Sequence, residues 1–319
     1  MDIILVSPAA AQSSNGNFTT AIRWKKILNN LGHQVHLTDT YDGHHYDLMI
    51  ALHAWRSAKS IHTFKSLFPN QPLIVALTGT DAYRFIHSHS RETLKSIEIA
   101  DHLIGLHELI ANAIPEQFHT KLNIIYQAST LKPIRNKKIK RNFHICIAGH
   151  LRDEKDSLRS AYAIRDLPAN SKIYASHYGK AHDKGWEHKA RLENIKNKRY
   201  YWEGEISQTL LRDKLSQAKL LVLSSRMEGG ANIISEAITL GLPVIASRIE
   251  GSVGLLGKKY AGYFDVENTF QLRKLLLQCE RSKSFFSLLK QQCHARHQLF
   301  SPNKEIYSWR QLLSKTTNS

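Results

Sequence analysis

The chain has 319 residues, 42% hydrophobic and 22% charged, with a formal net charge of +17. That length fits two domains, and the composition is that of a folded globular protein. No apolar run approaches the roughly 20 residues a membrane-spanning helix needs, so no transmembrane segment is expected. The three cysteines, Cys146, Cys279 and Cys293, lie far apart in no CxxC spacing, which argues against a disulfide framework or a zinc site and fits the reducing cytoplasm.

The excess of basic residues is larger beyond residue 140 than before it. Such a field draws anions, and three readings stand: a plain basic surface, an enzyme with anionic substrates, or a nucleic-acid binder. Outside one short stretch the basic residues are interspersed with acids and form no aromatic–basic motif, which disfavours nucleic acid.

The start, Met1-Asp2-Ile3-Ile4-Leu5-Val6-Ser7-Pro8, has no basic lead and a short apolar core. It reads as a first buried strand and not as a signal peptide. Ser13-Ser14-Asn15-Gly16-Asn17 follows as a strand-to-helix turn, with a helix running to about Leu31 and stopping at Gly32. It is not a GxGxxG, so no dinucleotide is expected. Further candidate strands cover 34–38, 48–52, 73–77, 102–106 and 123–126, then 144–148, 172–175, 220–223, 243–246 and 261–264. Several are continuous apolar runs, the habit of parallel strands buried on both faces. Alternation with helix-period segments predicts an α/β fold of two doubly wound parallel sheets.

Residues 131–141 carry six basic residues, a proline and no acid, and read as an exposed linker or as a basic patch. The predicted organisation is therefore an N-terminal domain 1–130, a linker 131–141, a C-terminal domain 142–300, and a terminal helix 301–319 packing back on the N-terminal domain.

The most informative segment runs from Leu220 through Glu228-Gly229-Gly230-Ala231-Asn232 and Glu236 to Gly241-Leu242-Pro243. It reads as strand, glycine loop, helix, stop and strand. Glycines before a helix let a ligand approach the backbone, and the first-turn N–H groups are unpaired donors at the positive end of the dipole: a phosphate seat. Glu236, about a turn into the helix, suits a diol, and Glu228 a different part of the same ligand. The plainer reading pairs Glu228 with Arg226 and makes Glu236 an ordinary first-turn acid.

Glu228 and Glu236 resemble the E-x7-E signature of the retaining family-four glycosyltransferases, which have the GT-B fold: two Rossmann-like domains facing a cleft. The resemblance implies that Glu236 holds the ribose hydroxyls of a nucleotide-sugar donor and Glu228 the hydroxyls of its sugar. This chain has Gly230-Ala231 where the family has an aromatic residue and a second glycine. A second segment agrees. Gly149-His150-Leu151-Arg152-Asp153-Glu154-Lys155 follows a predicted strand, at the sheet edge where α/β folds bind ligands. By resemblance Arg152 and Lys155 hold the donor diphosphate; the alternative is a solvated cap with Asp153, Glu154 and Asp156 as local partners. Tyr200-Tyr201-Trp202 reads either as a base contact or as core packing. Gly16 and Asn17 would face the donor phosphates, with an N-cap role open for Asn17.

Two other predicted strand ends carry chemistry: His53-Ala54-Trp55-Arg56-Ser57, and Thr78-Gly79-Thr80-Asp81-Ala82-Tyr83-Arg84. Together with Arg23-Trp24, the Arg152–Lys155 segment and 226–232, these resemble a narrower family, the selenosugar synthases of selenoneine biosynthesis. That resemblance implies transfer of a sugar from UDP-N-acetylglucosamine or UDP-glucose to selenophosphate. It makes Arg56, Thr78, Gly79, Thr80 and Arg84 acceptor-binding and His53 and Asp81 part of the catalytic set. No D-x-D pair or convincing histidine spacing marks a metal site, so no metal or cofactor is expected beyond the UDP-sugar co-substrate. An O-glycosyltransferase with another acceptor, a nucleotide-sugar epimerase and a sugar-nucleotide sensor remain open on the same motifs.

Overall fold

The computed structural model of the chain describes residues 1–8, 16–131 and 142–316. The expected linker lies outside these residues except for Leu131, as do Ser13, Ser14 and Asn15.

Two six-stranded sheets organise the chain, and every strand pair in them is parallel. The first has the order β2-β1-β3-β4-β5-β6, from β1 Asp2–Val6, β2 Gln34–Thr38, β3 Leu48–Leu52, β4 Leu73–Ala76, β5 His102–Gly105 and β6 Leu122–Ile124. The second has the order β12-β11-β10-β7-β8-β9, from β7 Phe143–Ala148, β8 Ile173–Tyr178, β9 Tyr200–Gly204, β10 Leu220–Leu223, β11 Val244–Ser247 and β12 Tyr263–Phe264. The helices are α1 Gly16–Asn30, α2 Ala58–Leu67, α3 Ile86–Ser88, α4 Ser90–Ile99, α5 Arg159–Arg165, α6 Lys184–Lys196, α7 Gln208–Gln217, α8 Asn232–Thr239, α9 Glu250–Leu256, α10 Thr269–Arg281, α11 Lys283–Ala295 and α12 Pro302–Thr316. By its contacts the chain divides into two compact units: Met1–Ala128 with Glu228–Asn232 and Ser301–Ser319, and Ser129–Met227 with Ile233–Phe300.

The four inner strands of the first sheet, β1, β3, β4 and β5, supply both faces of the core. In β1, Ile3 and Leu5 join one apolar cluster while Ile4 and Val6 join the other. β3 splits in the same way, with Leu48, Ile50 and Leu52 on one side and Met49 and Ala51 on the other. This is why these strands read as unbroken apolar runs. One face is covered by Ile61 and Phe64 of α2 and Ile97 of α4. The other takes Trp24 and Leu28 of α1 with Trp309, Leu312 and Leu313 of α12.

One strand escapes the sequence pattern. β9 is an edge strand of the second sheet, and its exposure alternates along Tyr200-Tyr201-Trp202-Glu203-Gly204. Half of its side chains meet water, so no apolar run marks it. Its Trp202 neither fills the core nor stands free: Nε1 donates to the Gly179 carbonyl at 2.9 Å, and the Arg191 guanidinium lies 5.6 Å from the ring centre.

In the first unit α12 is fixed by a buried carboxylate as well as by apolar contact. The Trp24 and Trp309 rings meet edge to face at 5.0 Å. Beside them Glu305, 1% exposed, accepts from Arg23 Nε at 3.1 Å, Trp24 Nε1 at 3.0 Å and the Ala128 N–H at 2.9 Å. Removing the carboxylate orphans three donors and leaves the Arg23 guanidinium without its counter-charge. Glu305→Ala is therefore expected to cost about 3–5 kcal/mol of stability, read from urea unfolding; a loss below about 1 kcal/mol, the range of an exposed pair, would contradict this role.

Candidate functional site

In a parallel sheet covered on both faces, polar side chains collect beyond the carboxyl ends of the strands. At the ends of β3 and β4 the organising group is Asp81. It is fully buried, and its Oδ2 accepts from the Ala54 N–H at 2.8 Å. Its Oδ1 accepts from the Thr78 N–H at 2.6 Å, the Thr78 hydroxyl at 2.8 Å and the Ala82 N–H at 3.1 Å. The carboxylate thus ties the loop after β3 to the loop after β4. Residues Asp81–Phe85 follow as a single π-helical turn, a local form frequent at functional sites.

His53 stands against this carboxylate with Nδ1 3.7 Å from Asp81 Oδ2. Its backbone has φ +74°, left-handed for a residue with a side chain, a strained state that its surroundings must impose. The Arg56 N–H donates to Nδ1 at 3.2 Å, which leaves the Nε2 hydrogen to donate to Thr80 Oγ1 at 3.0 Å. Burial lowers the His53 pKa against the opposing pull of Asp81, so the ring is neutral. His53 and Asp81 thus have their polar atoms committed to the two loops, and they set the loops' shape.

The exposed groups that those loops carry are Arg56 and Arg84. Trp55 and Phe85 stack at 4.2 Å, with His89 4.4 Å from Trp55. The Arg56 and Arg84 guanidinium carbons lie 6.0 and 5.6 Å from the same Phe85 ring centre. An aromatic ring lets two like charges share one patch by offering its negative face, and the result is a surface suited to an anion.

Gly79 brings a second predicted segment to this place. A Cβ on Gly79 would stand 2.5 Å from the Gly229 nitrogen, and one on Gly229 would stand 2.2 Å from the Gly79 nitrogen. The two backbones touch with no room for a side chain, so Glu228–Asn232 lies against 78–79. Asn232, expected to contact a donor, has its side chain engaged here: Oδ1 accepts from Arg23 Nη1 at 3.2 Å. Glu228 is half-buried in the same segment, Gly230 precedes α8 together with buried Ala231, and Gly16 and Asn17 lie in the first turn of α1. Asn17 is therefore past the N-cap position.

In the second unit β7 ends at Ala148, and Gly149 leads into a chain reversal. Arg152 is extended, Asp153–Lys155 forms a 3₁₀ turn, and Asp156 closes it at φ +43°. The Arg152 N–H donates to Ser157 Oγ at 3.0 Å, and Ser224 Oγ donates to the carbonyls of Lys155 and Asp156. Arg152 Nε is buried without a hydrogen-bond partner, its nearest carboxylate being Glu154 at 4.0 Å. Asp156 serves Arg159 instead. Gly149, Lys155, Ser157, His177, Ser224 and Ser225 line a small hollow beyond these strand ends. Arg226 binds Glu267 at 2.6 Å and also donates to the Asp153 carbonyl. Glu236 is half-buried one turn into α8, and Gly241, at φ +68°, closes that helix.

Two buried histidines went unnoticed in the sequence because nothing but their strand position marks them. His177 of β8 hydrogen-bonds the Gly149 carbonyl through Nε2 at 3.1 Å and Tyr200 Oη through Nδ1 at 2.9 Å, bracing the glycine. His107, just beyond β5, lies 3.2 Å through Nε2 from Tyr83 Oη. Burial pushes both pKa values down to about 4. The cysteines are free and buried, and burial raises the Cys146 thiol to about 12. Among the described residues no helix is long and apolar enough to cross a membrane, and no group of three or more His, Cys, Asp or Glu side chains could hold a metal ion.

Residues 130–283 match the family model Glycosyl transferases group 1. No curated protein sequence matches the chain. Among solved structures, sucrose-phosphate synthase of Thermosynechococcus elongatus is 15% identical with a TM-score of 0.79, over 99% of both chains. HepE of Anabaena, solved with UDP and glucose, is 14% identical with a TM-score of 0.74, over 99% of this chain and 100% of that one. TarM of S. aureus is 15% identical with a TM-score of 0.68, over 83% of this chain and only 55% of that chain, so the present chain spans about half its length. The fold is the GT-B architecture of these neighbours. The group 1 family segment covers the second sheet from β7 through β12.

Two measurements check this geometry. Gly229→Ala should lower stability by about 1–3 kcal/mol, as overpacking does, because the new methyl meets backbone; unchanged unfolding would remove the close approach. The folded-state pKa values of His107 and His177 lie below the ordinary 6.5. Their contribution is therefore fully present above pH 6.5 and is lost as pH falls from there toward 4. The wild-type melting temperature should fall through that window, and more shallowly in His177→Gln; an identical slope in the variant would show that His177 is not buried neutral.

Proposed function

We propose that the enzyme transfers a hexose or N-acetylhexosamine from a UDP-sugar to selenophosphate, making a selenosugar of the kind used in selenoneine biosynthesis. The observation that carries this reading is the pair of exposed cations, Arg56 and Arg84, set over one aromatic ring at the strand ends of the first unit. A neutral sugar hydroxyl has no need of such a patch; a small, highly charged acceptor does. The narrower identity of that acceptor rests on the sequence resemblance of 16–17, 53–58, 78–84, 150–156 and 226–232. The UDP-sugar donor is supported by the group 1 family segment and by HepE and TarM, both solved with UDP.

Each residue has a role in this reading. Arg152 and Lys155 take the donor diphosphate, Arg152 through a fork whose buried Nε has no protein acceptor. Gly149 leaves backbone open to the phosphates; Gly16, Asn17, Gly229, Gly230 and Ala231 are assigned to the donor as well, and Glu236 to its ribose hydroxyls. Glu228 reads the sugar. Arg56 and Arg84 draw the acceptor, with Thr78, Gly79 and Thr80 beside it, while His53 and Asp81 hold those loops in place.

During transfer the bond between the anomeric carbon and the UDP oxygen breaks, and its electron pair leaves with UDP. A selenium lone pair forms the new carbon–selenium bond; the phosphoryl group stays on selenium in this adduct, and hydrolysis of the Se–P bond, with release of phosphate, gives the selenosugar. Selenophosphate is already an anionic nucleophile, so positioning is what the protein must supply. Fixed cations and amides stabilise the leaving diphosphate, each contact lowering the barrier by about 2.7–4 kcal/mol. No metal is required in this scheme.

Mass spectrometry of products from UDP-N-acetylglucosamine or UDP-glucose with selenophosphate should show the selenium adduct, with phosphate and thiophosphate as control acceptors. Transfer to a hydroxyl acceptor with none to selenophosphate would overturn the acceptor assignment. Arg152→Ala and Glu236→Ala should each lose transfer while keeping the wild-type melting temperature, and full activity in either would remove the donor assignment. Activity should persist in excess chelator; strict dependence on added Mg²⁺ would contradict a metal-free transfer.

A further inference from the structure

Arg23 of α1 makes two directed contacts that belong to different parts of the first unit. Its Nε donates to Glu305 Oε1 on α12 at 3.1 Å, and its Nη1 donates to Asn232 Oδ1 at 3.2 Å. Glu305 is itself immobilised by Trp24 Nε1 and the Ala128 N–H. One turn before Arg23, Thr20 Oγ1 accepts from Gln127 Nε2 at 2.6 Å and lies 3.5 Å from Asn232 Nδ2. The amide of Asn232 therefore meets two residues of one helix face, and one of them is clamped to a buried carboxylate.

Asn232 is the first residue of α8 and ends the run Glu228-Gly229-Gly230-Ala231. Adjacent glycines have the widest backbone freedom of any residues, so this run holds one shape only if something outside it does the holding. Gly79 limits it on one side by backbone contact. At its end the guanidinium hydrogen bond from Arg23 holds Asn232. A guanidinium is a planar fork, so anchoring Nε on Glu305 also aims Nη1. A lysine has no second nitrogen to aim.

We propose that Arg23 is a positioning residue for sugar transfer: through Asn232 it sets the glycine run, and with it the place of Glu228. This rests on the reading of Glu228 as a donor-sugar contact. It assigns work to a residue that has no direct contact with substrate in the proposed reaction, and it makes α1 and α12 part of the machinery that shapes the run.

The test compares wild type, Arg23→Lys, Arg23→Met, Asn232→Ala and the Arg23→Met/Asn232→Ala double variant. The readouts are turnover of UDP-N-acetylglucosamine with selenophosphate and hydrogen exchange at the amides of 229–231. Asn232→Ala leaves the Arg23–Glu305 pair intact and so tests the link without unseating α12. Arg23→Met and Asn232→Ala should each lower kcat by up to about 10²-fold, the size of effect a misplacement of about 1 Å produces, and should raise amide exchange at 229–231. Lysine should not rescue, and the double variant should be no slower than the worse single. Independent, multiplicative losses, or Asn232→Ala within twofold of wild-type kcat, would overturn the proposal. If wild type turns over no UDP-sugar, the functional reading fails instead, and the exchange data decide this inference alone: unchanged protection at 229–231 in both single variants would end it.

Discussion

Both faces of each parallel sheet must be covered, and that constraint decides where this protein can place anything polar. The core positions of β1, β3 and β4 are given over to apolar side chains on alternating sides. Polar groups are expelled to the points where strands end and loops begin. His53, Thr78, Thr80, Asp81 and His107 lie just past β3, β4 and β5; Gly149, Arg152 and Lys155 lie past β7, and Ser224 past β10. The chemistry is thus carried by short loops on a rigid frame, and the rest of the structure concerns how those loops are held.

The holding is done by buried polar groups with complete sets of partners. Asp81 binds three backbone N–H groups and a hydroxyl. Glu305 binds a guanidinium, an indole and a backbone N–H. His177 joins Gly149 to Tyr200. Each is expensive to bury alone and stabilising when fully satisfied, so each converts a flexible connection into a fixed one. In contrast, Arg56, Arg84 and Arg152 end in exposed or partly exposed positions.

Much of this was legible in the sequence, for a physical reason. Continuous apolar runs such as Leu48-Met49-Ile50-Ala51-Leu52 have no explanation except burial on both faces, so the parallel sheets could be read directly. Helix punctuation was equally plain in Gly32 and Gly241. β9 was hidden because an edge strand wets one face, and Tyr201 and Glu203 break its pattern. The site was legible as positions but less so as roles. Nothing local tells whether an aspartate after a strand meets a substrate or three backbone amides; Asp81 does the latter because the loop after β3, 27 residues away from it in sequence at Ala54, comes to it. Arg226 is similar, since its partner Glu267 is 41 residues distant. His107 and His177 carry no motif at all.

In the proposed function Arg152 and Lys155 hold a pyrophosphate beside Gly149. A crystal structure of the protein with UDP bound is its most direct test. The account predicts both phosphates within hydrogen-bonding reach of the Arg152 and Lys155 side chains, with the ribose hydroxyls on Glu236. UDP seated elsewhere, with Arg152 and Lys155 left facing water, would contradict it.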